Sequence, residues 1–356
     1  MIPRSGKITV GILFGGKSAE HEVSLQSAKN VYDAIDRNKF EPVLIGIDKN
    51  GKWFLFNDSH FLLNADDPKN ISLAPTGTPA ALTPGSQGML MASLPKLDVV
   101  FPILHGPLGE DGTVQGLLKL ADVPFVGAGV LGSAVGMDKD VMKRLLREAG
   151  IPIGKFLTFR SHNALPSFAE ITNALGSPVF VKPANMGSSV GINKVRAESE
   201  FAAALQEAFR HDTKVIVEEY IKGREIECAV LGNENPIASI TGEIIPTHDF
   251  YSYDAKYIDD NGAILEIPAK IDSHCQKQIQ ELAIKVFQTL YCEGLARVDF
   301  FLQENGEALV NEINTLPGFT KISMYPKLWE ASGIGYTELI TRLIELAMEQ
   351  FDKERK

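Results

Sequence analysis

The sequence predicts an α/β protein of three pieces, opening on a parallel sheet with crossover helices. Two observations carry this. Through the first third, strand-like apolar runs alternate with segments of helical periodicity. Near the end, two apolar runs flank an Asn-Gly turn signal and form an antiparallel pair. A chain of 356 residues is long enough for two or three domains at roughly 150 residues each.

Ile8–Phe14 is the first strand. Val23–Ile35 follows as a helix, with Val23, Ala28, Val31 and Ile35 near helical spacing. Pro42–Ile47 and Leu97–Leu104 are further buried strands, Thr113–Leu120 is a short helix, and Val123–Val126 is another strand. Residues 64–95 break the alternation. Five of the 19 prolines lie there (Pro68, Pro75, Pro79, Pro84 and Pro95), which marks an irregular surface insertion. Asp138–Ala149 is a helix stopped by Gly150 and Pro152. Pro178–Pro183 is a strand leading into a glycine-rich turn at Met186–Gly191, and Val215–Glu218 and Ile226–Leu231 are strands. Cys275–Leu290 is a helix with Ile279, Leu282, Ala283, Val286, Phe287 and Leu290 on one face. Leu295–Leu302 and Ala308–Asn314 pair. Cuts near 130 and 218 divide the chain into 1–130, 131–217 and 218–356.

Composition narrows the function. Hydrophobic residues make up 44% and charged residues 22%, which fits a globular chain rather than a disordered or fibrous one. Lys and Arg number 35 against 45 Asp and Glu, a net charge of −10 that disfavours nucleic acid or an anionic membrane as the main partner. Cys228, Cys275 and Cys292 make neither a disulfide framework nor a zinc spacing, and fit a reducing compartment. No apolar run reaches the ~18 residues of a membrane span. The first apolar stretch lacks a small-residue cleavage site, so it is read as a strand and not a signal peptide. A cytoplasmic protein is expected.

Two glycine motifs invite nucleotide readings. Gly11 to Ser18 matches the spacing of a phosphate-binding P-loop, but Ile12, Leu13 and Phe14 belong to a buried strand and the turn begins only at Gly15. Gly127-Ala-Gly129-Val-Leu-Gly132 matches a dinucleotide fingerprint, but the acid expected about 20 residues on would be Glu148, inside a helical segment. Tight-turn glycines explain both matches more simply.

The hairpin carries the strongest chemical signal. A two-residue turn at Asn305-Gly306 pairs Glu304 with Glu307, which sets Asp299 opposite Glu312 and Arg297 opposite Asn314. Side chains alternate along a strand, so these four share one face. Val298, Phe300, Leu302, Leu309 and Ile313 take the other, core-like face despite Asn311. Facing carboxylates repel, and a bound cation relieves them. Asp299, Glu312 and Asn314 are oxygen ligands that suit Mg²⁺ bound with substrate phosphates. The alternative is a solvated face whose acids pair with Arg297. A one-residue slip would disperse the set.

Other residues admit two readings each. Lys182 lies on a strand before the Gly187-Ser-Ser-Val-Gly191 turn, where charge and turn amides hold phosphates; a surface lysine on a plain hairpin is the alternative. Glu218 and Glu219 lie between apolar residues, positioned to bind an adenine amino group or ribose hydroxyls, or simply exposed. Gly15 to His21, and His105 with Gly106, follow strands at the carboxyl edge of the first sheet, where open α/β sheets bind ligands. Glu20 there can take a substrate ammonium with His105 orienting it; a structural histidine is the alternative.

Taken in order, GGKSAEHEVSLQSA, LHGPLGEDGTVQG, MDKDVMKRLL, VFVKPANMGSSVGINKV, FYSYDAKY, ARVDFF and NEINTLPGFTKISM resemble the D-alanine–D-alanine ligases of the ATP-grasp superfamily. The resemblance covers most of the chain and omits 64–95. It implies a three-domain ATP-grasp fold, α+β in its ATP-grasp part, with an N-terminal parallel-sheet domain. ATP would lie between the central and C-terminal domains. By motif match, Lys139, Lys182, Ser188, Glu218, Glu219, Ile221, Glu225 and Lys256 are the nucleotide contacts. Asp299, Glu312 and Asn314 match the ligands of two Mg²⁺ ions, for which Mn²⁺ can substitute. Glu20, Ser188 and Tyr257 match a hydrogen-bonded trio on the substrate side, and Arg297 and the Gly318 amide the groups that stabilise a tetrahedral intermediate. Glu20, His105, Arg297, Ser323 and Met324 are the implied substrate contacts, and 248–262 the closing loop. Family members that use D-lactate replace the Tyr-bearing loop motif; this chain keeps Asp-Ala-Lys-Tyr257, which implies D-alanine as second substrate. A homodimer working in peptidoglycan precursor synthesis is also implied.

Four rivals stand beside this: another ATP-grasp ligase, a nicotinamide oxidoreductase using 127–132, a P-loop hydrolase, and a non-catalytic nucleotide-binding protein. The GGKSAEHE and SYDAKY segments count against the first, because substrate-side motifs match as well as nucleotide-side ones.

Overall fold

The computed structural model describes residues 6–56, 60–88, 96–163, 165–187, 190–246, 263–320 and 322–355. Among the described residues, three sheets of four or five strands follow one another along the chain, flanked by helices, beside one two-stranded pair.

The first sheet is mixed. Strands β1 (Ile8–Gly15), β2 (Phe40–Ile47) and β7 (Val99–Ile103) run parallel, with β1 central. Helix α1 (His21–Ala34) is the crossover from β1 to β2. Strands β3 (Trp53–Phe56) and β6 (Thr78–Pro79) extend the sheet antiparallel beyond β2. The proline-rich stretch also contributes β5 (Ser72–Leu73), paired with β4 (Leu62–Leu63). Short strands of two residues are what such proline density permits. Ile12, Leu13 and Phe14 are fully buried, and Gly15 and Gly16 take φ of 91° and 97°, so the turn does begin at Gly15 and the P-loop match is a buried strand. Helix α2 (Thr113–Leu120) falls where its periodicity put it. The strand expected at Val123–Val126 reduces to one bridge between Phe125 and Val100. Pro124 has no N–H to donate and Gly127, at φ 102°, turns the chain away.

The dinucleotide-like glycines open helix α3 (Val130–Met137), which no reading of the sequence anticipated. Helix α4 (Lys139–Glu148) follows, capped by Asp138, whose carboxylate accepts from the Val141 N–H at 3.1 Å. A small antiparallel sheet comes next, in order β10 (Asn193–Val195), β9 (Val179–Pro183), β11 (Lys214–Glu219), β8 (Phe156–Arg160). Helices α5 (Phe168–Leu175) and α6 (Glu198–His211) close its core, in which Val179, Val181, Val215 and Val217 are fully buried.

The third sheet is antiparallel, in order β14 (Ala263–Glu266), β13 (Ile237–Pro246), β12 (Arg224–Gly232), β15 (Gly294–Leu302), β16 (Ala308–Asn314). Helix α7 (Ser273–Thr289) covers one face, burying Ile279, Ala283, Val286 and Phe287 against Val298 and Phe300. Helices α8 (Met324–Ala331) and α9 (Tyr336–Glu354) join this sheet to the first. Phe101, Phe319, Tyr325, Leu339 and Ile340 belong to one continuous core.

The hairpin register reaches the expected answer by a different route. Asp299 faces Glu312 and Arg297 faces Asn314, but the strand ends pair Phe300 with Val310 and Leu302 with Ala308. The turn is a three-residue loop with Gly306 at φ 85°, closed by the Gln303 N–H on the Glu307 carbonyl at 2.9 Å. A bulge at Asn311 then restores the register at the site. The bulge also corrects the core face: Val310, fully buried, takes the place expected for Leu309.

Candidate active site

Two antiparallel sheets face each other across a cleft of about 290 Å³. On β9 the burial alternates, so Val179 and Val181 enter the core while Phe180 and Lys182 face the cleft. On β11, Glu218 lies opposite Phe180 on the same face. Helix α4 contributes Lys139 and Lys143, one turn apart on one side.

Glu218 is the centre of the cleft's charge. Its Oε2 receives Lys182 Nζ at 2.5 Å and its Oε1 receives Lys143 Nζ at 2.8 Å. Burial pushes the Glu218 carboxyl up, and the two lysines overcome that and hold it at about 2. Burial likewise works against charge on Lys182, but Glu218, Glu312 and Glu225 raise its pKa on balance. Lys139 Nζ donates to the Met186 carbonyl at 2.7 Å and lies 3.6 Å from Glu312. It thereby bridges the glycine-rich turn and the third sheet. Asp212 anchors the start of that turn through two hydrogen bonds from Asn185, both 2.8 Å. Glu219 accepts from the Lys155 N–H at 2.6 Å, and Ile221 closes against Gly154. Glu225 lines the cleft floor opposite Phe301 on β15.

Beyond Glu225 and Glu312 opens a second cavity of about 150 Å³. Strand pairing lays three carboxylates in one row, because Glu227 faces Asp299 and Asp299 faces Glu312. Arg297 crosses this row. It holds Asp299 with two hydrogen bonds of 2.7 Å and Glu227 at 2.8 Å. Asn314 Nδ2 donates to Asp299 at 2.9 Å. Glu20 enters from the first sheet, its carboxylate close enough that a Cβ on Gly106 would sit 2.9 Å from Oε2. His105 is buried, with Nδ1 3.1 Å from the Leu316 carbonyl, so Nδ1 carries the proton. Burial lowers its pKa against the pull of Glu20 and the Leu316 carbonyl, and its Nε2 has no hydrogen-bond partner among the described residues. Glu110 also lines this cavity and accepts from the Gly106 N–H at 2.6 Å. Burial and the neighbouring Glu20 push its carboxyl up to about 8, against backbone donors at Gly106 and Leu316 and the Arg297 charge.

Gly318 borders the cavity, where a side chain would meet Ser323 Oγ at 2.9 Å. That hydroxyl accepts from the Thr320 N–H at 3.0 Å. Met324 starts α8, and its side chain is buried beside Gly242. Ser188, Lys256, Tyr257 and the 248–262 loop lie outside the described residues. The structure therefore brings Glu20, His105, Arg297, Asp299, Glu312, Asn314, Gly318, Ser323 and Met324 around one cavity. Lys139, Lys182, Glu218, Glu219, Ile221 and Glu225 surround the adjoining cleft.

The sequence reading missed Lys143, Glu110 and Glu227. Glu227 had a signal, since it follows Glu225 by two residues on a strand and so shares its face. Glu110 follows His105-Gly106 by only four residues, in a loop already singled out.

The donor set at Asp299, Glu312 and Asn314 is two carboxylates and an amide, all hard oxygen ligands, which fits Mg²⁺. Positive charge reaches those acids here from Arg297 and Lys139. No cluster of three or more His, Cys, Asp or Glu side chains placed to hold a metal occurs among the described residues. A more open cavity of about 1020 Å³ lies at the opposite edge of the first sheet. Two ion pairs line it, Lys39 with Glu345 and Arg355 with Asp122, and it shares no residue with the cleft or the acidic cavity.

Two antiparallel sheets gripping a lysine-bracketed cleft, with an acidic strand face behind it, define an ATP-grasp enzyme. Models described as the N-terminus and the C-terminus of D-ala D-ala ligase match residues 9–128 and 145–345. The chain belongs to the D-alanine–D-alanine ligase family. It is 58% identical to the D-alanine–D-alanine ligase of Shouchella clausii, over 98% of this chain and 97% of the relative. It is equally 58% identical to D-alanine–D-alanine ligase A of Escherichia coli K12, over 97% and 96% of the two chains. Among solved structures, the Coxiella burnetii D-alanine–D-alanine ligase superposes with a TM-score of 0.87 at 40% identity, covering 98% of this chain and 96% of the other. The VanG D-Ala:D-Ser ligase of Enterococcus faecalis gives 0.85 at 40% identity, covering 96% and 100%.

Proposed function

We propose that this chain joins two D-alanine molecules to D-alanyl-D-alanine at the expense of ATP, through a D-alanyl phosphate, for peptidoglycan precursor synthesis in the cytoplasm. The observation that carries this reading is the acidic cavity. Glu20, Glu110, Glu225, Glu227, Asp299 and Glu312 surround a single guanidinium, Arg297. So many carboxylates call for cationic occupants, and an amino acid's ammonium group beside a metal-bound triphosphate supplies them.

Glu20 receives the first D-alanine's ammonium. The carboxylate oxygen of that D-alanine attacks the γ-phosphorus, the bond from γ-phosphorus to the bridging oxygen breaks, and ADP departs. The second D-alanine, as its free amine, then attacks the acyl carbon, the carbon–oxygen bond breaks, and phosphate leaves with the proton that the nitrogen gives up. Lys139 and Lys182 hold phosphates, while Glu218, Glu219, Ile221 and Glu225 hold the nucleoside. Arg297 and the Gly318 amide offset the negative charge of the tetrahedral species. Ser323 and the first amide of α8, at Met324, lie where a carboxylate is favoured by unpaired N–H groups. Asp299, Glu312 and Asn314 would hold Mg²⁺, for which Mn²⁺ could substitute, and the ion would supply charge neutralisation to the phosphates. Ser188, Lys256 and Tyr257 complete the site on the strength of the motif match. An acyl phosphate is prone to hydrolysis, which gives the 248–262 loop its role in excluding water.

The division into 1–130, 131–217 and 218–356 remains our proposal, with the second cut moved to the turn after Glu219, since 217/218 falls inside β11. A homodimer is proposed from the family alone. Among the described residues no helix is long and apolar enough to cross a membrane.

ADP release with Mg²⁺ and ATP tests the reading. Release that requires D-alanine, fails with L-alanine and yields the dipeptide is expected. Release indifferent to amino acid would establish a hydrolase instead. A preference for D-lactate over D-alanine at neutral pH would overturn the assignment of the second substrate.

A further inference from the structure

Lys143 has no role in the reaction as written above, yet it is the most enclosed charge in the cleft. Its side chain is 3% exposed, and its Nζ reaches Glu218 Oε1 at 2.8 Å and the Asn311 carbonyl at 3.1 Å. That carbonyl belongs to the residue at which the β15–β16 ladder bulges, so the bulge presents an acceptor to the lysine. Asp138 caps the first turn of α4 and a turn of helix separates Lys139 from Lys143, so the lysine's Cα is fixed as well. The second lysine on Glu218 is placed differently. Lys182 stands on β9, four residues before the glycine-rich turn, and the proposed reaction draws it to phosphate. When Lys182 turns to phosphate, Glu218 keeps only one cation.

We propose that Lys143 is the fixed partner of Glu218, and that it sets the cleft's preference for a purine with an amino group at position 6. With Lys143 on Oε1, the carboxylate stays ionised after Lys182 leaves, and Oε2 is a pure acceptor for the amino group. A 6-oxo purine presents a carbonyl oxygen there and is repelled. Without Lys143, a buried carboxylate deserted by Lys182 takes up a proton. It then becomes a donor, and the 6-oxo purine is accepted. Lys143 is thus a positioning residue acting through Glu218. The inference rests on the reading of this cleft as the ATP site and asks nothing of the amino-acid side.

Titration calorimetry with ADP and IDP, which differ at position 6, tests it without turnover. Wild type is expected to bind ADP about tenfold or more tighter than IDP, as a site built around a hydrogen-bonded amino group should. In Lys143→Met the preference should fall to within about threefold, while Lys143→Arg, which keeps the charge, retains most of it. Lys143→Gln is carried in parallel, so that the ratio is read from whichever neutral variant keeps the wild-type melting profile. A neutral variant whose affinities for ADP and IDP fall by the same factor would reduce Lys143 to a structural strut and overturn the proposal. So would a wild type that does not distinguish the two. Loss of D-alanine-dependent ADP release with ADP preference intact would instead break the proposed function and leave Lys143 its role.

Discussion

The nucleotide cleft and the cavity behind it share Gly187, Glu225, Phe301, Asn311 and Glu312, yet they handle charge in opposite ways. In the cleft, Lys139, Lys143, Lys182 and Lys194 meet Glu218, Glu219, Glu225 and Glu312. Lys143 and Lys182 already share Glu218, which they hold at about 2, and Lys139 already reaches Glu312. A ligand enters there by exchanging partners. The cavity has six carboxylates and one guanidinium, and burial, with the neighbouring Glu20 adding to it, pushes the Glu110 carboxyl up to about 8. A ligand enters there by bringing positive charge. One region is neutral within itself and the other is completed by its substrates. The proposed reaction needs both, because it asks the cleft to hold phosphate without trapping it and the cavity to draw an ammonium beside a metal.

The sharpest way to break this comparison is to remove the cavity's one guanidinium. Arg297→Met leaves Asp299 and Glu227 without their closest cation. We expect a loss of about 3–5 kcal/mol in stability, read by denaturant unfolding, together with loss of ligation. Unchanged stability would mean that the acid row is solvated rather than strained.

Removing an acid should do the reverse to folding. Asp299→Asn and Glu312→Gln relieve like-charge repulsion while deleting an oxygen anion from the metal set. Turnover at saturating Mg²⁺ is expected to fall about 10³-fold or more, with the melting temperature held or raised. Parallel losses in both would make the row structural.

On the cleft side, Lys182→Met should raise the KM for ATP about 10–100-fold and leave the D-alanine KM within a few-fold, since it removes one exchangeable cation. Equal effects on both constants would erase the distinction between the two regions.

The last effect is one of pH. Glu110 has a folded pKa raised from 4.5 to about 8, so the protonated form is favoured in the native state. Its contribution is fully present below about 4.5 and is lost as pH rises through about 8. Without ligands, Glu110→Gln should match wild type near pH 4.5 and melt higher at pH 8.5, by about 5 °C in differential scanning calorimetry. Added Mg²⁺ and ATP should narrow that gap, because they supply the missing positive charge. A gap independent of pH would assign Glu110 a packing role only.

What the sequence disclosed follows the range of each interaction. The β15–β16 hairpin was readable because its two strands are neighbours along the chain, and with it came Arg297, Asp299, Glu312 and Asn314. Even there the turn was misjudged, and the Asn311 bulge cancelled the error at the site while exchanging Leu309 for Val310 in the core. Helix α4 was readable from its stop at Gly150 and Pro152, while Lys139 came only from the motif match and the Asp138 cap only from the structure. Glu227 and Lys143 escaped because their partners are distant in sequence. Pairing of β12 with β15 joins residues some 70 positions apart, and no local pattern declares that register. Glu110 escaped for a different reason. It sits in a loop, where there is no periodicity to tell an inward carboxylate from a solvated one. Helix α3 was obscured by its glycines, which serve close packing against the Tyr291 turn rather than a phosphate.

Oxygen tracing tests the central claim most directly, that the acidic cavity presents a D-alanine carboxylate to the nucleotide held in the cleft. The chain is given ATP, Mg²⁺ and D-alanine labelled with ¹⁸O in both carboxylate oxygens, and the released phosphate is examined by mass. Attack by the carboxylate predicts one ¹⁸O in each phosphate, matched one to one with dipeptide. Phosphate carrying oxygen only from water and ATP would mean that the nucleotide is hydrolysed without activating the amino acid, and would contradict the account.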